Sequence, residues 1–164
     1  IVTLGALLAD VPHTRDVRVT GTATDTALIA QLGLARSRYE GPTGIVGVLH
    51  DAANQQGVPS ASLWAPVPHY VATPPNPLAT RALLDRLGTL VDASFPLSDL
   101  QELAGAWRRR VDEIVADDDE VRSYVTQLES RYDEELRQEE DDLPTGETIA
   151  AAFEEYLRDQ GQDR

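Results

Sequence analysis

The stretch from Tyr39 to Pro77, YEGPTGIVGVLHDAANQQGVPSASLWAPVPHYVATPPNP, constrains the fold more than any other part of the chain. Glu40-Gly41-Pro42-Thr43-Gly44 is punctuation, since two glycines and a proline interrupt any long helix or strand. Ile45, Val46, Val48, Leu49, Ala52 and Ala53 then place apolar residues at helical spacing, and Gly57 stands where such a helix stops. After Val58-Pro59, Ser60–Ala65 is short, small-to-apolar and carries Trp64, as a strand buried on both faces requires. Pro66 and Pro68 cannot donate to a ladder, so the strand is predicted to end there and Val67–Pro77 to form a loop at its carboxyl end. Asn76-Pro77 opens the next helix, with asparagine as N-cap and proline at the first helical position. Helix, strand, proline-rich loop and helix are the parts of an open α/β sheet.

The rest of the chain is read against that segment. Ile1–Leu8 is a continuous apolar run, predicted as a strand of a parallel sheet. Ala9-Asp10-Val11-Pro12-His13-Thr14-Arg15 follows as the loop at its carboxyl end, where open α/β sheets place their sites. Val17–Thr22 alternates and reads as a shorter edge strand, and Thr24 or Asp25 can cap a short helix over Thr26–Leu32, closed by Gly33. From Pro77 to Leu90 a helix places Leu78, Ala82, Leu83, Leu87 and Leu90 on one stripe.

After Phe95-Pro96-Leu97 only helical patterns remain. Ser98 with Gln101 has the form of a capping box. Leu100, Leu103, Trp107, Val111, Ile114 and Val115 form one stripe. Asp117-Asp118-Asp119 ends that helix and caps the next, whose Val121, Tyr124, Val125, Leu128, Tyr132 and Leu136 form a second. Two stripes joined by a few acidic residues predict an antiparallel hairpin burying Trp107 and Tyr124. Glu139–Asp142 is an acidic linker, and Ile149, Phe153, Tyr156 and Leu157 mark a last helix over Thr148–Leu157. The expected division is residues 1–95 as the second half of an α/β sandwich domain and 96–164 as an acidic α-helical C-terminal appendage.

Composition narrows the chemistry. The chain has 164 residues, enough to bury a core, and no cysteine or methionine. All 14 cations are arginine, which removes Schiff-base, lysine-base and P-loop lysine chemistry. Residues 112–164 hold nineteen acids against five arginines and carry the whole net charge of −14, while residues 1–111 balance. Such a field repels nucleic acid. Arg108-Arg109-Arg110 is the only basic run, and three successive helix residues point in different directions. No membrane span or signal peptide is visible, and a bacterial cytoplasm is the expected compartment. An apolar strand at residue 1 of a chain without methionine is expected to have sheet neighbours outside this sequence.

Three histidines invite catalytic readings. His13 lies beside Asp10 and Arg15, His69 beside Tyr70 in the proline-rich loop, and His50 beside Asp51 on a helix. With Asp10 as orienter and Ser60 or Ser62 as nucleophile, His13 or His69 sketches a hydrolase, against which stands a role in fixing loops. The sequence has no G-x-S-x-G elbow, and both serines open a strand. Gly41-x-x-Gly44-x-x-Gly47 before a helix reads either as an anion cradle or as close helix–sheet packing. No cofactor is called for, and no metal site, because spaced histidine or cysteine ligands are missing. The interaction-loop residues are therefore Asp10, His13, Arg15, Gly41, Gly44, His69 and Tyr70.

GPTGIVGVLHDAA followed by SLWAPVPHYVATPPNP, with Ile1-Val2-Thr3-Leu4-Gly5 and ADVPHTR upstream, resembles the proteasome assembly chaperone 2-like family, in its actinobacterial branch. The resemblance runs from Ile1 to the closing helix. It implies a phosphorylase/hydrolase-like α/β fold, a three-layer sandwich with a mostly parallel sheet, with further α/β sequence ahead of Ile1. It also implies a protein partner, one related to proteasome α-ring assembly, and a homo-oligomer, a trimer among the options. Eukaryotic members dock through a C-terminal hydrophobic–tyrosine–any tripeptide, whereas this sequence closes on Gln162-Asp163-Arg164. The two functions in play are a protein-interaction module and a hydrolase- or phosphorylase-like enzyme acting on a small molecule at the strand-end loops.

Overall fold

The computed structural model describes residues 1–23, 35–36, 44–71 and 74–141. The expected helix over Thr26–Leu32, Gly41 and the helix over Thr148–Leu157 lie outside the described residues. Two compact units are present, Ile1–Glu129 and Ser130–Arg164.

The first unit is mixed α/β. Its strands are β1 (Val2–Ala9), β2 (Thr20–Ala23), the two-residue β3 (Ala35–Arg36) and β4 (Ala61–Pro68). They lie in the order β1-β4-β2-β3. β1 runs parallel to β4 and β2 parallel to β3, but β2 meets β4 antiparallel. The expectation of a mostly parallel sheet therefore meets an antiparallel junction at its centre. The second strand is also not an edge, because β3 flanks it, and two residues are too few to leave a period-2 signal.

β4 corrects the sequence reading at the prolines, since it continues through Pro66 to Pro68. The Ala61 N–H donates to the Ile1 carbonyl at 2.9 Å. In a parallel pair such inward residues alternate, so Ala61, Leu63, Ala65 and Val67 face β1. Pro66 and Pro68 present their nitrogens to the opposite side. There β2 pairs with β4 only over Ala61–Trp64, so the missing N–H groups interrupt no ladder.

Register fixes the two faces of the sheet. Leu4 sits beside Leu63, and Thr3 and Gly5 sit beside Ser62 and Trp64. Leu63 is fully buried with Val19 against Ala82, Leu83 and Leu90. Those three belong to α2 (Pro77–Val91). On the other face His50 of α1 (Ile45–Gln55) bonds the Thr3 hydroxyl through Nε2 at 2.9 Å. Trp64 lies flat over Gly5, where an added Cβ would stand 2.5 Å from ring carbon Cζ3. Only glycine lets that ring approach.

Helix ends follow local chemistry. The Asn76 side chain accepts the Ala79 N–H at 3.0 Å, with Pro77 at the first helical position. Gly57, at φ +68, closes α1, and the Val58 N–H returns to the Ala53 carbonyl. α3 (Ser98–Ala116) does not form the expected capping box. Its N-cap is Leu97, whose carbonyl takes the Gln101 N–H, and the Ser98 hydroxyl turns to Asp99. Asp118 caps α4 (Asp119–Asp141), accepting the Glu120 and Val121 N–H groups. Val111, Val115 and Val125 form a second buried cluster, against which Trp107, Val121, Tyr70 and Val71 pack. In the second unit Arg137 pairs with Glu134 at 2.8 Å. Among the described residues no helix is long and apolar enough to cross a membrane.

Candidate functional site

The carboxyl ends of β1 and β4 lie side by side, because Ala9 is in register with Pro68. The chain leaves β1 through Asp10 and His13, and leaves β4 through a single 3-10 turn, His69–Val71. Parallel neighbours deliver both loops to one place. Five of the expected residues, Asp10, His13, Arg15, His69 and Tyr70, are brought together there.

His13 is the centre. It is 2% exposed, and each of its polar atoms has a partner. Its N–H donates to the Tyr70 hydroxyl at 2.8 Å, and that hydroxyl lies 2.8 Å from Nδ1. Nε2 stands 2.9 Å from Oδ1 of Asp112. The His13 carbonyl accepts from Nε of Arg108 at 3.2 Å. One arrangement satisfies every group: backbone N–H to Tyr70 oxygen, Tyr70 O–H to Nδ1, and Nε2–H to Asp112.

The neighbours extend the same network. Arg15 Nη1 reaches Glu129 at 3.1 Å, and the Thr14 hydroxyl donates to the same carboxylate. His69 Nδ1 lies 3.1 Å from Asp10 and 3.4 Å from the Ala9 carbonyl. Tyr70 and Tyr124 meet edge to face at 6.2 Å, and His69 meets Tyr124 at 5.5 Å. Burial, the largest cause, pushes the Tyr70 phenol up to about 12, against the lowering effect of the His13 backbone N–H. Tyr70 therefore stays protonated at ordinary pH.

Asp112, Arg108, Glu129 and Tyr124 were not picked out as site residues from the sequence. The one available signal was Arg108 and Asp112 at i, i+4, a single polar face of α3 between the apolar Trp107 and Val111. The serines of the hydrolase sketch are elsewhere. Ser62 opens β4, roughly 20 Å along the strand from His69, and its Oγ accepts from Trp64 Nε1 at 2.7 Å and from Thr3 at 3.0 Å. Gly44 is the N-cap of α1, with open space among the described residues where a Cβ would stand. Two cavities among the described residues also lie apart from the cluster. One, about 510 Å³, is lined by Leu84, Gly88, Asp92 and Phe95. The other, about 220 Å³, is lined by Thr22, His50, Asp51 and Asn54.

The sequence profile of the PAC2 family matches residues 1–115. The chain belongs to the PAC2 family. Two solved structures are similar at more than half identity. A PAC2 family protein of Streptomyces avermitilis is 53% identical, with a TM-score of 0.66, over 76% of this chain and 52% of that one. A Mycobacterium tuberculosis proteasome-assembly chaperone homologue is 52% identical, with a TM-score of 0.67, over 76% of this chain and 52% of that one. A second M. tuberculosis protein, of unknown function, gives a TM-score of 0.77 at 28% identity, over 85% of this chain and 48% of that one. This PAC2-family chain thus spans about half the length of the structures it matches. No curated protein matches it.

Proposed function

We propose that this PAC2-family chain is a protein-interaction module with an assembly-chaperone-like role, its strand-end loops forming a rigid contact surface. One observation carries the reading. His13, the best-placed candidate base, has both ring nitrogens and both backbone polar groups bonded within the protein, at 2% exposure. A general base must reach a substrate proton at about 2.6–3.2 Å, and this one already holds Asp112 and Tyr70. The same bonds tie the β1 loop to the β4 turn and to α3, which suits a surface that recognises a partner without rearranging.

The finer parts belong to the same proposal. Residues 1–95 belong to a three-layer, mostly parallel α/β sandwich. Residues 96–164 form the acidic appendage, with α3 and α4 as its hairpin. The partner is a protein with a basic surface, related to the proteasome by the name that the M. tuberculosis relative carries. The compartment is the cytoplasm, and the assembly a homo-oligomer.

The enzyme reading keeps one specific support, the line Asp112–His13–Tyr70. The two readings separate in one experiment. The protein is used to capture partners from source lysate at low and high salt, with His13→Ala and His69→Ala alongside, and the same preparations are assayed on an ester and nucleoside panel. Salt-sensitive capture of a defined partner without turnover is expected. Turnover that is lost in His13→Ala or His69→Ala would replace the binding reading with the enzyme one.

A further inference from the structure

Between α2 and α3 the chain folds back over the end of α2. Gly88 is buried there, and an added Cβ would stand 2.6 Å from the Ala93 carbonyl oxygen and 3.5 Å from Cδ2 of Phe95. The Ala93 N–H returns to the Gly88 carbonyl at 2.9 Å, and Asp92 makes the turn at φ +50. A cavity of about 510 Å³ lies in this fold-back, lined by Asp85 and Asp92 together with the apolar Leu84, Phe95 and Leu97. Its negative charge is uncompensated. Among the described residues, neither aspartate side chain has a hydrogen bond or an ion pair. Arg81, one turn before Asp85, buries its Nε and forms no ion pair with that carboxylate. α2 also has no basic residue in its last turn, where the negative end of the helix dipole favours a cation.

We propose that this cavity binds a linear alkylammonium ligand, its charged nitrogens on Asp85 and Asp92 and its methylenes on Leu84, Phe95 and Leu97. Each part of the ligand answers one feature. Asp85 and Asp92 are seven residues apart, so two helical turns and roughly 10 Å separate them. That spacing suits nitrogens carried along one alkyl stem better than a single compact ion. A hydrated divalent metal would find only two carboxylates there and no use for apolar walls. The Phe95 ring, 37% exposed, can cover methylenes and draw a cation over its face. The volume falls within the range of roughly 300–1,000 Å³ usual for small-molecule sites. The same chemistry occurs in free polyamines and in paired lysine side chains of a protein. No residue of the His13 loop surface lines this cavity, so the proposal stands apart from the function proposed above.

Amide chemical shifts of the isotope-labelled protein test this, followed through titrations with spermidine, with a blocked peptide carrying two lysines, and with magnesium, all at one ionic strength. Saturable shifts confined to residues 84–97 are expected with spermidine, and none there with magnesium. Asp85→Asn and Asp92→Asn should each weaken spermidine binding about two- to five-fold, and the double variant roughly ten-fold. Asparagine tolerates the left-handed backbone at position 92, so the turn survives the change. Where a variant does not fold, the shift map of the unaltered protein decides. Weaker binding of the peptide than of spermidine assigns the site to free polyamines, and equal or tighter binding assigns it to lysines of a protein. No saturable shift with either amine overturns the proposal. So do shifts that fall on the acidic residues 112–141 instead, magnesium shifts at 84–97 equal to those of spermidine, or a folded double variant with unchanged affinity.

Discussion

The Tyr70 hydroxyl serves two groups of His13 at once, the buried backbone N–H and Nδ1. Tyr70→Phe keeps the ring against Tyr124 and removes both bonds. Leaving a buried donor unpaired costs about 1–3 kcal/mol, so the denaturant midpoint should fall accordingly, while turnover, absent in our reading, gives no signal to lose. The pH dependence has a definite sign. A phenol raised from 10.0 to about 12 is protonated more firmly in the folded state than in the unfolded chain. Its contribution is whole below about pH 10 and is lost as pH climbs towards about 12. Stability measured across that window should decline in the natural protein and decline less in Tyr70→Phe. At Gly5 the issue is space instead of bonding. Gly5→Ala drives a methyl into the Trp64 ring, and overpacking of this kind costs typically 1–3 kcal/mol. An unchanged unfolding midpoint for Gly5→Ala would show that Trp64 can swing aside freely.

At the level of elements, two helix starts that look alike in sequence differ in substance. Asn76→Ala removes a formed cap bond and should cost about 1 kcal/mol. Ser98→Ala removes a hydroxyl that caps nothing and should stay within about 0.5 kcal/mol. Equal losses in matched urea titrations would contradict the assignment. The contrast also shows what was legible. Asn76-Pro77 could be read because a cap and its first turn are neighbours in sequence. Ser98 with Gln101 misled because Leu97 takes the cap position, which places the serine inside the helix. Pro66 and Pro68 misled because a missing N–H matters only on the side where another strand pairs. That side is decided by β2, some forty residues earlier in the chain. Of the site, the loops after β1 and β4 were legible through topology, while Asp112, ninety-nine residues from its histidine, left only an i, i+4 polar pair on α3.

On the scale of the whole molecule, charge is segregated: the net −14 resides in residues 112–164. Attraction between so acidic a segment and the basic partner proposed above is screened over about 10 Å at 0.1 M salt. Complex formation should therefore weaken steeply between ~0.05 and ~0.5 M salt, mainly through a slower association rate. Surface plasmon resonance at several ionic strengths would measure it, and an association rate indifferent to salt would remove the appendage from recognition.

The placement of the two tryptophans makes the molecule its own spectroscopic ruler. Trp64 rests on the β1–β4 pair and donates to Ser62, while Trp107 packs beside Val111 and Val115. With only two indoles in the chain, Trp107→Phe isolates the sheet signal and Trp64→Phe isolates the helical one. Superimposable fluorescence transitions from the two variants, after allowing for their stability differences, would show that sheet and helices melt as one cooperative body. Separated transitions would date the loss of each.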